Sequence, residues 1–368
     1  EQGQTEQSRQ TVAEENDAEQ AKTAGNLEVH FIDVGQGDAT LIKCDGHSML
    51  IDAGNNDKGT LVQNYLQHQG VETLDYVIGT HPDADHIGGM DVVLYKFDCK
   101  TIIMPDVANN TRTYDDVVQT MKNKGYKTTY PVVGETYTIG GAAFTIIAPN
   151  KEYGNDMNSW SVGVLLQNGN HRFLFTGDAE EGAEQDILQN GIDISADVYK
   201  VAHHGSNTAT SQAFLDAVHP TYAVISAGEG NSYGHPHAEV LNRLRAAGVS
   251  VFRTDEQGTI VASSDGTTLT WNMSPSESWQ AGEAKKSQNT EKSEKAADSQ
   301  NNAETDAAVS NPTDQTDGNS DVIVHITKTG EKYHSAGCQY LRKSDIEVTL
   351  SEAKARGLTP CSKCNPPQ

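Results

Sequence analysis

Four residues able to ligate a metal fall within six positions: His81, Asp83, Asp85 and His86 of the stretch THPDADHIGG, residues 80–89. The apolar run LDYVIG precedes them, and Gly88-Gly89 opens what reads as a helix. A strand-to-helix loop lets neighbouring side chains converge, whereas an extended strand sends them to opposite faces. Imidazole and carboxylate together suit borderline and hard divalent ions such as Zn²⁺ or Mn²⁺. A solvated turn with Asp85 capping the helix is the competing reading. That density of ligands directly after an apolar strand weighs against it.

Three later stretches repeat the arrangement. FLFTGDAE puts Asp178 just beyond an apolar run, where a carboxylate is placed to bridge two ions. VYKVAHHGS puts His203 and His204 at another strand end, and SAGEGNSYGHPH puts His235 and His237 in a glycine-rich loop. Taken singly, Asp178 reads as a helix cap and each histidine as structural. In layered α/β folds, however, loops at one end of the strands gather into one site. Four such clusters therefore read as one metal centre. Adjacent strand residues face opposite ways, so the sequence leaves open which of His203 and His204 binds.

The rest of the 368-residue chain divides by composition. Residues 1–26 are rich in Gln, Glu, Ala and Thr, and are expected to be disordered or to form a short helical stalk. Residues 27–273 carry the strands and helices of one domain: a run of strands first, then strands alternating with helices, which predicts sheets covered by helices. The segment GTIVASSDGTTLTWNM predicts a hairpin turning at Asp265-Gly266. Residues 274–320 are almost free of apolar side chains and read as a flexible linker. Residues 321–368 regain strand and helix patterns and form a small module. No run of 18 apolar residues offers a membrane-spanning helix. With a start at Glu1 and a polar N-terminal stretch, this leads to the expectation of a processed chain, secreted or attached to the surface of a bacterium. The sequence is silent on oligomeric state.

The ordered string FIDVGQGDATLI, MLIDAG, THPDADHIGG, NSWSVGVLL, FLFTGDAE, YKVAHHGS and YGHPH resembles the metallo-β-lactamase superfamily. It is most similar to the hydrolase domain of ComEC-type DNA-uptake proteins and their secreted stand-alone relatives. The resemblance covers residues 27–273 and implies an α/β fold, an αββα sandwich. It implies two divalent ions, Zn or Mn. The family pattern HxHxDH falls on His81, Asp83, Asp85 and His86, with aspartate at its second histidine. That exchange makes the site richer in carboxylate and favours Mn²⁺ or Mg²⁺. The bridging aspartate falls on Asp178 and the last histidine on His235. The family's third-motif histidine has no match; the nearest residues are Asn158, Ser159 and Ser161, and either His203 or His204 is a substitute.

Two divalent ions about 4 Å apart activate a water and neutralise a phosphodiester. Asp85, or a water activated between the ions, is then the base, and Lys200 is a candidate to neutralise phosphate or transition-state charge. The turn DVGQGDA, with Asp33, Gln36, Gly37 and Asp38, is expected to have a structural role or to support the ligands from behind, and Asp52 to orient a ligand. The resulting expectation is a metal-dependent phosphodiesterase or nuclease acting on DNA. The alternatives are a small-ester or lactone hydrolase of the same fold, and a nucleic-acid-binding module without turnover. Charge argues against a tight DNA clamp. Residues 27–273 hold 14 Lys/Arg against 31 Asp/Glu, within a whole-chain net charge of −24, and such clamps are basic.

The C-terminal module holds His334, Cys338, Cys361 and Cys364. The spacing His-x₃-Cys with a later Cys-x₂-Cys fits one structural zinc. A module this small needs the stabilisation a metal provides. It resembles the Cys-rich unit related to the zinc region of the Ada repair protein, which suggests either a nucleic-acid contact or a purely structural appendage.

Overall fold

The structure, a computed structural model, describes residues 24–283, 323–327, 332–335, 341, 346–355, 358–361 and 363–364. The expected N-terminal tail up to residue 23, most of the linker and Cys338 lie outside the described residues. The chain separates into two units, residues 1–293 and 294–368.

In the first unit, β1 (Leu27–Phe31), β2 (Thr40–Cys44), β3 (His47–Ile51), β4 (Thr73–Ile78), β5 (Asp98–Ile103) and β6 (Thr128–Thr129) build one sheet. The next seven build a second, in the order β13-β12-β11-β10-β9-β8-β7. They are β7 (Thr136–Ile139), β8 (Ala142–Ala148), β9 (Gly163–Asn168), β10 (His171–Phe175), β11 (Val198–Lys200), β12 (Tyr222–Ile225) and β13 (Ser250–Arg253). The chain then returns to the first sheet, where β14 (Ile260–Ser264) pairs antiparallel with β1 and β15 (Leu269–Trp271) forms the edge. The expected hairpin is present, with Asp265 Oδ1 accepting the backbone N–H groups of Thr267 and Thr268. Each sheet starts as an antiparallel meander and ends in parallel strands. β3, β4 and β5 run parallel in the first, and β10 to β13 in the second.

Period-two alternation explains how the sheets stack. Leu27, Val29 and Phe31 of β1 face the second sheet, in one buried cluster with Phe144, Leu166, Phe173, Val224 and Phe252. His30 points the other way, its Nδ1 2.9 Å from the Tyr65 hydroxyl on the helix Gly59–His68. Apolar residues four apart build the outer layers. Val62 and Leu66, with Val117 and Met121 of the helix Arg112–Lys124, cover the first sheet. Ile187, Phe214, Leu215, Val240 and Leu244 cover the second. This is the αββα sandwich that the family resemblance implied, and the sheets covered by helices that the order of strands and helices predicted.

The ordered domain runs past residue 273. Trp279 packs against the outer cluster of the second sheet, Ser276 N–H donates to the Val251 carbonyl at 2.8 Å, and Gly282 N–H to that of Pro236 at 2.9 Å. The buried Arg253 guanidinium donates to the Gln280 carbonyl at 2.6 Å. A lone tryptophan in a polar stretch gives no periodicity to read, which is why these residues resemble linker. Trp279→Ala should lower stability by about 2 kcal/mol in denaturant unfolding, a typical cost for lost partial burial. An unchanged midpoint would show that this strap is not bound.

The second unit has strands β16 (Ile323–Ile326), β17 (Lys332–His334), β18 (Ile346–Thr349) and β19 (Thr359–Pro360) in the order β18-β16-β17-β19. Its core is Val324, Ile326, Tyr333, Val348, Leu350 and Ala353.

Candidate metal centre

The site forms where strands of both sheets end. The β1–β2 loop brings Asp38, β3 delivers Asp52, and β4 runs into His81 and the short helix Ala84–Ile87 carrying Asp85 and His86. From the second sheet, β10 delivers Asp178, β11 delivers His203 and His204, and β12 leads to the loop holding His235. Close packing of two loops fixes the arrangement. A Cβ on Gly37, whose φ is +138°, would sit 2.4 Å from the Asp85 carbonyl oxygen. That carbonyl accepts the Asp38 N–H at 3.0 Å. Only glycine allows this approach, and it presses the GQGD turn against the HPDADH loop.

The Nδ1 atoms of His81, His86 and His204 each have a partner. His86 Nδ1 lies 2.8 Å from Asp52 Oδ2, and the Asp52 carboxylate also accepts the Thr80 N–H and hydroxyl at 2.8 and 2.7 Å. His204 Nδ1 lies 3.0 Å from the Ser226 carbonyl and 3.2 Å from Asp38 Oδ1. His81 Nδ1 lies 3.1 Å from the Thr80 hydroxyl and 3.3 Å from that of Ser161. Such partners fix tautomer and ring orientation. The inward atoms are the opposite case: Nε2 of His81, His86 and His204 and Oδ1 of Asp178 are buried without a hydrogen-bond partner.

Those orphaned atoms converge. His81, His86 and Asp178 offer donor atoms all within 4.8 Å of one another, and so do Asp85, His86 and His204. Asp178 Oδ2 is 3.2 Å from His86 Nε2 and 3.4 Å from His204 Nε2, and Asp85 Oδ2 is 3.3 Å from His204 Nε2. Buried polar atoms left unpaired are costly. A set of five imidazoles and carboxylates aimed at one another fits divalent cations and gives the unpaired atoms their partners.

Electrostatics agree. Burial alone would lower the His86 and His204 pKa values, but Asp178, with Asp52 beside His86 and Asp38 beside His204, raises both well above the usual range. Burial and the neighbouring His86 push His81 down to about 3. Burial opposes ionisation of Asp85, yet the neighbouring imidazoles of His204 and His86 hold it at about 2. Without metal, His86 and His204 thus carry protons at neutral pH, and a cation must displace them. Binding should release on the order of one proton per ion and weaken as pH falls. Titration calorimetry in buffers of different ionisation enthalpy reads this directly; identical heats in every buffer would refute it.

The remaining candidates lie around this cluster. Asp83, whose side chain is 40% exposed, sits 3.8 Å from His81 Nε2 and accepts from Asn109 Nδ2 at 3.3 Å. His203 Nε2 is 3.6 Å from Asp178 Oδ2, and the His235 ring centroid is 5.6 Å from that of His203. Lys200 departs from the expectation. It is 3% exposed, and its ammonium donates to Asp38 Oδ2 at 2.8 Å and to the Val201 carbonyl at 3.1 Å. It stands behind the cluster as the counter-charge of Asp38, not at an open face where phosphate would arrive.

The histidine pair also departs from strand geometry. His203 and His204 have φ values of +48° and +53°, a region that costs non-glycine residues about 1–3 kcal/mol each and persists only when surroundings enforce it. The Tyr199 hydroxyl accepts the Ala202 N–H at 3.1 Å, and buried Glu184 accepts the N–H groups of Thr210 and Ser211. The left-handed turn brings both rings to the Asp178 side. Ser161, beside the unmatched third motif, has its hydroxyl 3.3 Å from His81 Nδ1 and accepts the Asp178 N–H at 3.0 Å. Thr80 was not legible as a site residue, because a hydroxyl in a strand-end loop carries no distinguishing spacing.

Four layers with this cluster at the strand ends define a metallo-β-lactamase-fold, metal-dependent hydrolase domain. The family model described as "Metallo-beta-lactamase superfamily" matches residues 32–229, and the chain belongs to that superfamily. Among curated proteins it is 31% identical to ComE operon protein 3 of Bacillus subtilis over 63% of this chain and 32% of that protein. It is 33% identical to Recombination protein 2 of Haemophilus influenzae over 63% of this chain and 28% of that one. The chain thus spans about a third of the length of these relatives. Among solved structures, a putative metal-dependent hydrolase from Parabacteroides distasonis aligns over 62% of this chain and 93% of its own, at 19% identity and a TM-score of 0.40. Among the described residues, no helix is long and apolar enough to cross a membrane.

Proposed function

We propose that the first unit is a metal-dependent phosphodiesterase acting on DNA, with two divalent ions held by His81, His86, Asp178, Asp85 and His204, and with Asp83, His203 and His235 at the rim. The observation that carries this reading is the convergence of four buried residues, His81, His86, His204 and Asp178, whose inward atoms have no hydrogen-bond partner, with the half-buried Asp85 beside them. Names of similar proteins, a recombination protein and the Competence protein ComA of Neisseria gonorrhoeae, turn the substrate toward DNA. When bound, such ions neutralise charge on a phosphodiester and ease deprotonation of a water.

The chain's own residues supply orientation. Asp52 and Asp38 hold His86 and His204 by their Nδ1 atoms, so that Nε2 presents its lone pair inward. Asp85, ionised at neutral pH, accepts a hydrogen bond from the attacking water and aligns it, and is too acidic to store a proton. The acidic surface makes nonspecific affinity weak, which suits an enzyme that turns over a chain it does not grip. Incubation of the purified chain with single- and double-stranded DNA and Mn²⁺ tests the reading. Cleavage by the wild type and none by Asp85→Ala is expected; no cleavage by either sinks it.

For the second unit we propose one structural zinc. His334, Cys361 and Cys364 offer donors within 4.8 Å of one another, and the backbone N–H of Lys363 approaches Cys361 Sγ at 3.5 Å. Cys338 is the proposed fourth ligand. An exported or surface-attached location completes the proposal, and fractionation of the producing cell tests it.

A further inference from the structure

Tyr233 leaves 63% of its surface open, yet its backbone is firmly held. The Asn231 side chain, on a residue only 8% exposed, accepts the N–H of Tyr233 at 3.1 Å and of His235 at 3.0 Å. The same amide donates to the carbonyls of Gly228 at 3.0 Å and His235 at 2.6 Å. The Tyr233 carbonyl lies 3.2 Å from His237 Nε2. One face of the tyrosine ring lies on the His235 imidazole, with centroids 5.4 Å apart and planes 20° from parallel. The His235 ring in turn lies 5.6 Å from His203 and 6.2 Å from His204. A pre-positioned aromatic plate therefore stands one ring away from the donor cluster, with its surface open to solvent.

The charge of the domain decides what such a plate is for. With 31 acidic against 14 basic residues over 27–273, attraction to backbone phosphates cannot supply most of the affinity. Stacking on an aromatic ring does not depend on that charge and tolerates any base. We infer that Tyr233 is the stacking platform for an unpaired nucleobase beside the scissile phosphodiester, so that single-stranded nucleic acid is the substrate class. This rests on the phosphodiesterase reading above. A duplex keeps its ring faces inside its own stack and has none to offer without paying for unstacking.

Kinetics of wild type, Tyr233→Ala and Tyr233→Trp on a short oligothymidylate and on an abasic tetrahydrofuran oligomer of equal length test it. Tyr233→Ala should raise KM for the oligothymidylate on the order of tenfold with kcat retained. The tryptophan variant should restore KM, and the abasic oligomer should register no change. An unchanged KM on the oligothymidylate, or an equal penalty on the abasic oligomer, overturns the platform. Cleavage of neither oligomer by the wild type would fell the phosphodiesterase reading instead. Fluorescence anisotropy of labelled oligothymidylate on the Mn²⁺-loaded proteins then decides: a weaker Kd for Tyr233→Ala supports the platform, and an equal Kd overturns it.

Discussion

A chain carrying His86→Ala should lose its bound ions and, with them, roughly 10³-fold in phosphodiester turnover. Several kcal/mol of charge stabilisation from bound ions correspond to about that many decades of rate. His86 is singled out because it belongs to three of the four three-donor groups found among the described residues of the first unit. Its removal also strips Asp52 and Asp178, each at most 2% exposed, of the imidazole that faces them. Breaking a buried pair by deleting one partner costs about 3–5 kcal/mol, so the variant should melt early as well. Metal content by elemental analysis, measured on the folded fraction, separates the two effects. Full occupancy in that fraction would show that His86 is not a ligand.

The second large effect is expected at Lys200→Met. The ammonium and Asp38 form an ion pair at 2.8 Å with both side chains at most 7% exposed. Burial opposes ionisation of Asp38, but Lys200 and then His204 hold its carboxyl far below the ordinary range. Deleting the lysine should cost about 3–5 kcal/mol, or roughly 10 °C in Tm for a domain of this size. The double variant Asp38→Asn/Lys200→Met should regain much of this, since no charge is then stranded. The pH dependence has a definite sign. Because the folded pKa of Asp38 is depressed, its contribution is fully present above the unfolded value near 4 and is lost only as acid protonates the folded chain. The stability gap between wild type and Lys200→Met should therefore be flat across neutral pH and close only in strong acid. Equal melting temperatures of wild type and Lys200→Met would show the pair to be worth nothing.

What could be read in advance follows from how each residue signals. Asp178 and the HPDADH group were legible because apolar runs such as FLFT and LDYVIG announce strands, and a ligand just past a strand has a defined place. Asp52 was legible as an orienting residue for the same reason. The roles of His203, His204 and Lys200 were not. Alternation predicts that neighbours on a strand diverge, but the left-handed turn at His203-His204 turns both to one side, and it is enforced by Tyr199 and Glu184, which lie remote in sequence or in character. Lys200 looked available to substrate because exposure is invisible in a sequence; only the loop bearing Asp38, 162 positions away, reveals that it is engaged. The extension to residue 283 was hidden in a polar stretch, held by one packed tryptophan and by hydrogen bonds to main-chain atoms that carry no sequence signal.

The donors of the cluster are spread from residue 81 to residue 204 and come from both sheets. The Asp38, Asp52 and His86 group draws on the first sheet alone, but the three groups that include Asp178 or His204 are not in place until the two sheets have closed on each other. Contacts of such long sequence separation form late. A nascent chain therefore has at most the Asp38, Asp52 and His86 group to offer, and not the full cluster, until the second sheet is made. The complete donor set is thus a product of the closed sandwich rather than of any one segment of the chain.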